Sequence, residues 1–233
     1  MRIMWRNAVV YCTTIFLLLL CTNIWSQTVT VFSMNKECQN MRCIVIDPGH
    51  GGEDGGAISC SGLPESQYNL EISLRLKELL NLLGYKTKMT RTNDISIYKK
   101  GDTLAQKKVS DLKERVKIIN ETENGILLSI HQNYFTDGRY NGAQVFYPKT
   151  EGSEELAKQL QDQFRSVLNP GSHRQAKRSS GVYLMEHIQC PGILIECGFI
   201  SNTMEDNNLR NPEYQKKLCS VIATATARYL SNT

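Results

Sequence analysis

Two histidines and two carboxylates are the residues of this 233-residue chain whose surroundings suit chemistry. His50 lies in Asp47-Pro48-Gly49-His50-Gly51-Gly52-Glu53-Asp54-Gly55-Gly56, where five glycines in eight residues remove side-chain bulk around one imidazole. Such a stretch lets backbone and substrate approach closely. His131 follows the apolar run Ile126-Leu127-Leu128-Ser129-Ile130, and Glu196 follows Ile193-Leu194-Ile195 and precedes Cys197-Gly198-Phe199. A lone histidine after a strand is usually a hydrogen-bonding residue. Two of them after different strands, with a carboxylate after a third, outline a metal-assisted hydrolytic site. His131 comes 81 residues after His50, so no local His-Glu-x-x-His helix is present and a sheet must gather the ligands. A catalytic zinc needs three protein ligands, an open position and a base outside its shell. Glu53, Asp54, Glu65 and Glu71 are the candidates for the third ligand. Glu65 is preferred, because it follows Gly62-Leu63-Pro64 just ahead of a helix and can lie beside the end of the first strand. Asp47 reads as a turn former or as the hydrogen-bonding partner of a ligand histidine.

The elements that must position these groups alternate. From Met41 onward, short apolar runs and amphipathic segments take turns, which predicts one α/β domain. Strands are expected at 43–46, 85–90, 126–130, 144–147, 182–184 and 193–195. Leu70, Leu74, Leu76, Leu79, Leu80 and Leu83 predict a helix that stops at Gly84, and Val109, Leu112, Val116 and Ile119 predict a second. A third carries Leu156, Leu160, Phe164 and Val167 and is entered through Ser153, with Glu154 and Glu155 in its first turn. The last opens with the capping pair Asn211-Pro212 and presents Tyr214, Leu218, Val221, Ile222, Ala225 and Tyr229 on one face. The stretch 169–181 reads as an exposed loop. Its His173, Arg174, Lys177 and Arg178 are either simply solvated or face an anionic polymer. In such sheets ligands bind at the carboxyl ends of the strands, where His50, His131 and Glu196 fall.

At this point the residues carry a family resemblance. Ile46-Asp47-Pro48-Gly49-His50-Gly51-Gly52, Glu65 followed by Asn69-Leu70, Ser129-Ile130-His131-Gln132-Asn133, and Glu196-Cys197-Gly198-Phe199-Ile200-Ser201-Asn202 appear in order. Together they resemble the zinc-dependent N-acetylmuramoyl-L-alanine amidases of the amidase_3 type, over about residues 42–230. Thr90-Arg91-Thr92-Asn93-Asp94, and Leu112 with Arg115, are further matches. The N-terminal apolar segment and Gly142-Ala143-Gln144-Val145-Phe146-Tyr147 resemble the sporulation-associated members that act on spore cortex. The resemblance implies that His50, Glu65 and His131 bind zinc and that Glu196 is the catalytic carboxylate. It also implies a twisted, mostly parallel sheet flanked by helices, peptidoglycan as substrate, and a step towards muramic lactam. Glu53, Pro64-Glu65-Ser66-Gln67 and Gln132 depart from the family's usual residues without altering a proposed ligand. Two rival readings remain. One is a silent wall-binding or activating module, which has no need of all four site residues; the other is a zinc peptidase of wall peptides. A polysaccharide deacetylase lacks its usual aspartate and paired-histidine motif here.

Composition narrows the classes. With 41% hydrophobic and 21% charged residues, 16 Gly and 6 Pro, the chain is neither disordered, collagenous nor coiled coil. A net charge of +4 falls short of a nucleic-acid binder, so no nucleic acid is expected. Residues 8–25 form an almost unbroken apolar run behind Arg2 and Arg6, which sits where a signal peptide and a short membrane span overlap. The remainder is expected to be exported, either membrane-anchored through residues 8–25 or released into the extracytoplasmic space. Ile24 disfavours cleavage after Ser26, and Leu20 before Cys21 breaks a lipobox. Residues 1–26 are thus read as a signal peptide or anchor, 27–40 as a tether and 41–233 as the catalytic domain. Beyond the leader, 25 basic against 23 acidic residues leave only +2. Cys38, Cys43, Cys60, Cys190, Cys197 and Cys219 contain no Cys-x-x-Cys pair, so a cysteine zinc site is not expected. With no wall-binding repeat in view, a protein partner that activates or localises the enzyme is expected.

Overall fold

The computed structural model describes residues 42–232; the leader expected at 1–26 and the tether at 27–40 lie outside the described residues. The strands are β1 (Cys43–Pro48), β2 (Lys86–Met89), β3 (Gly125–Asn133), β4 (Gln144–Tyr147), β5 (Lys177–Arg178) and β6 (Gly192–Phe199). The helices are α1 (Glu65–Leu82), α2 (Leu104–Asn120), α3 (Ser153–Gln163), α4 (Tyr183–His187), α5 (Thr203–Arg210) and α6 (Pro212–Ser231). One sheet takes the order β2-β1-β3-β6-β4-β5. Every pair is parallel except β4 with β6, so the expected mostly parallel sheet carries one antiparallel junction.

The central strands read as continuous apolar runs because both faces are covered. Ile44, Ile46, Ile126, Leu128, Ile130, Ile193 and Ile195 point to a core closed by α1, α3 and α6. On the opposite face Val45, Leu127 and Leu194 meet Ile119 of α2 and Leu184 and Met185 of α4. Continuing along that second face towards the carboxyl edge, the alternation reaches Asp47, then Ser129 and His131, then Glu196. The register between β3 and β6 sets His131 opposite Glu196 and then slips by one residue, so that Asn133 pairs with Phe199. An extra residue of this kind re-aims side chains beside the bulge.

Side-chain caps hold the N-termini of α2, α5 and α6. Asn211 accepts from the backbone N–H of Glu213 ahead of Pro212, and Thr103 forms a reciprocal capping box with Gln106. The expected strand at 182–184 is a correction: Val182 precedes α4, whose single turn drops Leu184 and Met185 onto the second core. A three-residue apolar stretch has no period long enough to tell the two apart. The third helix ends in a π turn over Phe164–Leu168, and the loop 169–181 contributes the two-residue edge strand β5. α5 has no sequence expectation; Asn202 caps it by accepting from the N–H groups of Met204 and Glu205. Among the described residues Cys43, Cys60, Cys190, Cys197 and Cys219 are free thiols, and no helix is long and apolar enough to cross a membrane.

Candidate metal centre

Four backbone segments meet at the carboxyl edge of the sheet: the loop after β1, the first turn of α1, the end of β3 and the bulge in β6. Glu65, buried at the N-terminus of α1, stands between the imidazoles of His50 and His131. Its Oε2 lies 3.3 Å from His50 Nε2, and its Oε1 lies 3.0 Å from His131 Nδ1. One ligand atom from each of the three residues falls within 4.8 Å of the others. The two rings stand 5.1 Å apart at 75°, so neither stacks over the other's nitrogens.

Each member is held from behind. Asp54 Oδ2 meets His50 Nδ1 at 3.0 Å and is itself paired with Lys108. Glu65 accepts from the N–H groups of Ala57 and Gln132 and from Asn69 Nδ2, while Gln132 Nε2 donates to Asn69 Oδ1. Outer hydrogen bonds of this kind fix the orientation of metal ligands. Two glycines give the rings room. A Cβ on Gly49 would stand 2.2 Å from the His131 ring, and one on Gly56 would stand 2.6 Å from Glu65 Oε2.

The charges of His50 and Glu65 support one another. Burial disfavours a charged His50, but the hydrogen bonds that the imidazole donates to Asp54 and Glu65 outweigh it and push its pKa up to about 9. Burial likewise works against the Glu65 carboxylate, and the two histidines hold it far below the usual range. Glu196 behaves oppositely. Burial pushes its carboxyl up to about 7, the pull of His131 being too weak to offset it. Although the residue retains some exposure, its Oε2 is buried with no hydrogen-bond partner. A buried orphan acceptor beside a triad of nitrogen and oxygen donors fits a site built to receive a cation and a polar substrate.

His50 itself adopts φ 58°, a left-handed conformation that is costly for a residue with a Cβ. Two buried guanidiniums hold it there. Arg91 donates through Nε to the Pro48 carbonyl and through Nη2 to those of Gly49 and Ser66. Arg115 donates through Nη1 to the Pro48 carbonyl and Asp47 Oδ1, through Nη2 to the His50 carbonyl at 2.7 Å, and through Nε to Asp111. Successive carbonyls from Pro48 to His50 are thus all captured by arginines. Asp47 is therefore corrected: it is no partner of a histidine. Its carboxylate accepts from Arg115, Thr90 and Ser129, which outweigh its burial and hold it below the usual range. Asp54 holds the outer nitrogen of His50 instead, and its position four residues on in a glycine-rich turn was the available signal. Of the remaining candidates, Glu53 is exposed against Lys107, and Glu71 meets Gln67 of α1 and the buried Gln215 of α6.

A His/Glu/His cluster with an unpartnered carboxyl beside it, at the carboxyl edge of an α/β sheet, defines the class: a metal-assisted hydrolase. Comparison with known proteins narrows that class. The family model described as N-acetylmuramoyl-L-alanine amidase (Amidase_3) matches residues 44–228, and the chain belongs to this family. The chain is 40% identical to the germination-specific N-acetylmuramoyl-L-alanine amidase of Bacillus subtilis, across 82% of this chain and 80% of the relative. It resembles the CwlD amidase of Clostridioides difficile, solved in complex with the GerS lipoprotein, with a TM-score of 0.79 and 37% identity over 82% of this chain and 100% of that one. An N-acetylmuramoyl-L-alanine amidase from Clostridium difficile 630 is also similar, with a TM-score of 0.72 and 29% identity over 83% of this chain and 99% of that one.

Proposed function

We propose that the chain hydrolyses the amide between the lactyl group of N-acetylmuramic acid and L-alanine in peptidoglycan, with zinc held by His50, Glu65 and His131 and with Glu196 as proton carrier. The observation that carries this reading is the convergence of those three ligand atoms within 4.8 Å on a sheet edge where Glu196 stands in register with His131. Two imidazoles and one carboxylate are a donor set suited to zinc. Bound there, zinc supplies a lowered water pKa of about 7 and a polarised carbonyl. Glu196 takes the proton of the attacking water onto its carboxylate and gives it to the amide nitrogen as the C–N bond breaks. The L-alanyl peptide leaves as an amine, and the carboxylate is restored. Burial works to raise its affinity for a proton, the direction a proton carrier needs. Asp54 keeps Nδ1 of His50 occupied, which leaves Nε2 turned towards Glu65.

The similarity to a germination-specific amidase supports a role in spore cortex, as a step towards muramic lactam. Export through residues 1–26, as signal peptide or anchor, puts the domain on the extracytoplasmic side, where this substrate lies. The C. difficile neighbour's complex with a lipoprotein supports a protein partner that localises or activates this chain. Zinc content measured beside mass spectrometry of digested sacculi tests the reading. The expected result is about one zinc per chain and peptides with a free L-alanine amino terminus. Cleavage inside the peptide would identify a wall peptidase, and intact sacculi with zinc bound would identify a silent binding module.

A further inference from the structure

The loop after β3 presents aromatic rings to solvent beside the metal cluster. Three residues past His131 it exposes Tyr134 at 51%, Phe135 at 47% and Tyr140 at 48%. Phe135 and Tyr140 meet edge to face at 4.7 Å and 69°, and Tyr140 rests 6.2 Å from the buried ring of Phe199, three residues past Glu196. Arg174 lies over the Phe199 ring at 4.9 Å. The loop is pinned along its length. Phe135 N–H donates to Ser201 Oγ, Asn202 Nδ2 to the Gly138 carbonyl, Arg174 Nε to the Asn141 carbonyl, and Gly142 N–H to Glu205. Glu205 also accepts from Phe199 N–H, which ties the loop directly to β6. Exposed aromatics on a loop anchored at four points are a preorganised apolar surface rather than a mobile one.

We propose that Phe135 and Tyr140, floored by Phe199, form a glycan subsite that stacks the N-acetylhexosamine rings flanking, along the strand, the muramoyl residue that bears the scissile amide. The inference rests on the amidase reading and adds which side of the site takes the glycan. A muramoyl amide extends two ways, into an uncharged chain of pyranose rings and into a peptide carrying carboxylates. Pyranoses offer flat arrays of C–H bonds, which suit the negative face of an aromatic ring. On the loop Asp137 is paired with Arg139, and Arg174 donates to the Asn141 carbonyl and lies over the Phe199 ring. On the other flank of the sheet edge Lys99, Lys107 and Lys108 are paired with Glu114, Glu53 and Asp54, so that flank is charged rather than apolar. The apolar platform on the β6 side therefore suits the uncharged glycan.

Binding is read on metal-free protein with peptide-free glycan strands by saturation-transfer NMR and calorimetry, and kinetics with the zinc-loaded enzyme on long strands against N-acetylmuramoyl-L-alanine dipeptides. Each stacked ring contributes about 0.5–1.5 kcal/mol, or roughly twofold to tenfold. Tyr140→Ala and Phe135→Leu should weaken glycan binding and raise KM on strands by that factor, with kcat, zinc content and activity on the dipeptide unchanged. Tyr140→Phe should retain both. Glycan binding undiminished in Tyr140→Ala and Phe135→Leu, or KM raised equally on strand and dipeptide, overturns the subsite. Wild-type binding of the strand without cleavage would instead count against the amidase reading alone.

Discussion

Arg115→Lys isolates what holds His50 in its left-handed turn. The guanidinium makes four hydrogen bonds from a side chain 3% exposed, two to the carboxylates of Asp47 and Asp111 and two to the carbonyls of Pro48 and His50. A lysine keeps the charge that buried Asp47 requires, so the larger cost of an orphaned carboxylate, about 3–5 kcal/mol, is avoided. One ammonium cannot reproduce the planar fork that reaches Asp47, Asp111 and the loop together. Hydrogen bonds to charged groups are worth about 1.5–3 kcal/mol each, and losing two with partial replacement should cost about 2–4 kcal/mol of stability. The share that reaches the metal is the His50 carbonyl bond. Freed, His50 can relieve a backbone strain of about 1–2 kcal/mol by leaving φ 58°, which carries its ring away from Glu65. Zinc affinity should then fall roughly five- to thirtyfold. The assay is chelator competition for zinc on the folded protein, beside thermal melts of the metal-free form. Arg75→Lys is the control, because Arg75 bonds Gln215 away from the site and should leave affinity unchanged. If Arg115→Lys loses stability but binds zinc within twofold of wild type, the arginine is a fold residue only and the positioning argument fails.

Three further outcomes follow from the same geometry. Glu196→Gln should abolish turnover while zinc stays bound. Its folded pKa, raised from 4.5 to about 7, also means that stability falls as pH rises between those values, so the amide should stabilise metal-free protein by about 1–3 kcal/mol at pH 8 and by little at pH 4, as denaturant melts would show. His50, raised to about 9, carries a proton at neutral pH that zinc must displace. Calorimetry in buffers of different ionisation enthalpy should therefore find about one proton released per zinc at pH 7.5, with apparent affinity rising about tenfold per pH unit towards 9; an affinity flat over that range would refute the pairing. The same raised value stabilises the metal-free fold below pH 6.5, and that stabilisation should disappear as pH passes through 9. Gly49→Ala places a methyl 2.2 Å from the His131 ring and should cost about 1–3 kcal/mol and most of the zinc, measured by metal analysis and melting.

The sequence pattern marks His131 and Glu196 because each follows an apolar run that the sheet buries on both faces, and it marks His50 by the five glycines around it. Glu65 is legible for a related reason, as the first acidic residue after a Gly-Leu-Pro entry into a helix whose N-terminus must approach β1. What stays illegible is whatever depends on a distant chain segment. Asp47 reads locally as a turn former or as the partner of a ligand histidine, yet Arg115, 68 residues away, claims it through a hydrogen bond. The strand expected at 182–184 was lost to a helical turn because the identity of so short a stretch is set by the core it covers. Arg91 and Arg115 show the deeper limit. Read alone, each is a charged residue in a polar stretch, and only the fold turns their donors onto consecutive carbonyls of the His50 loop. The residues that would touch zinc are thus readable from local pattern, whereas those that decide how well His50 is aimed become visible only once β1, β2 and α2 have been brought together.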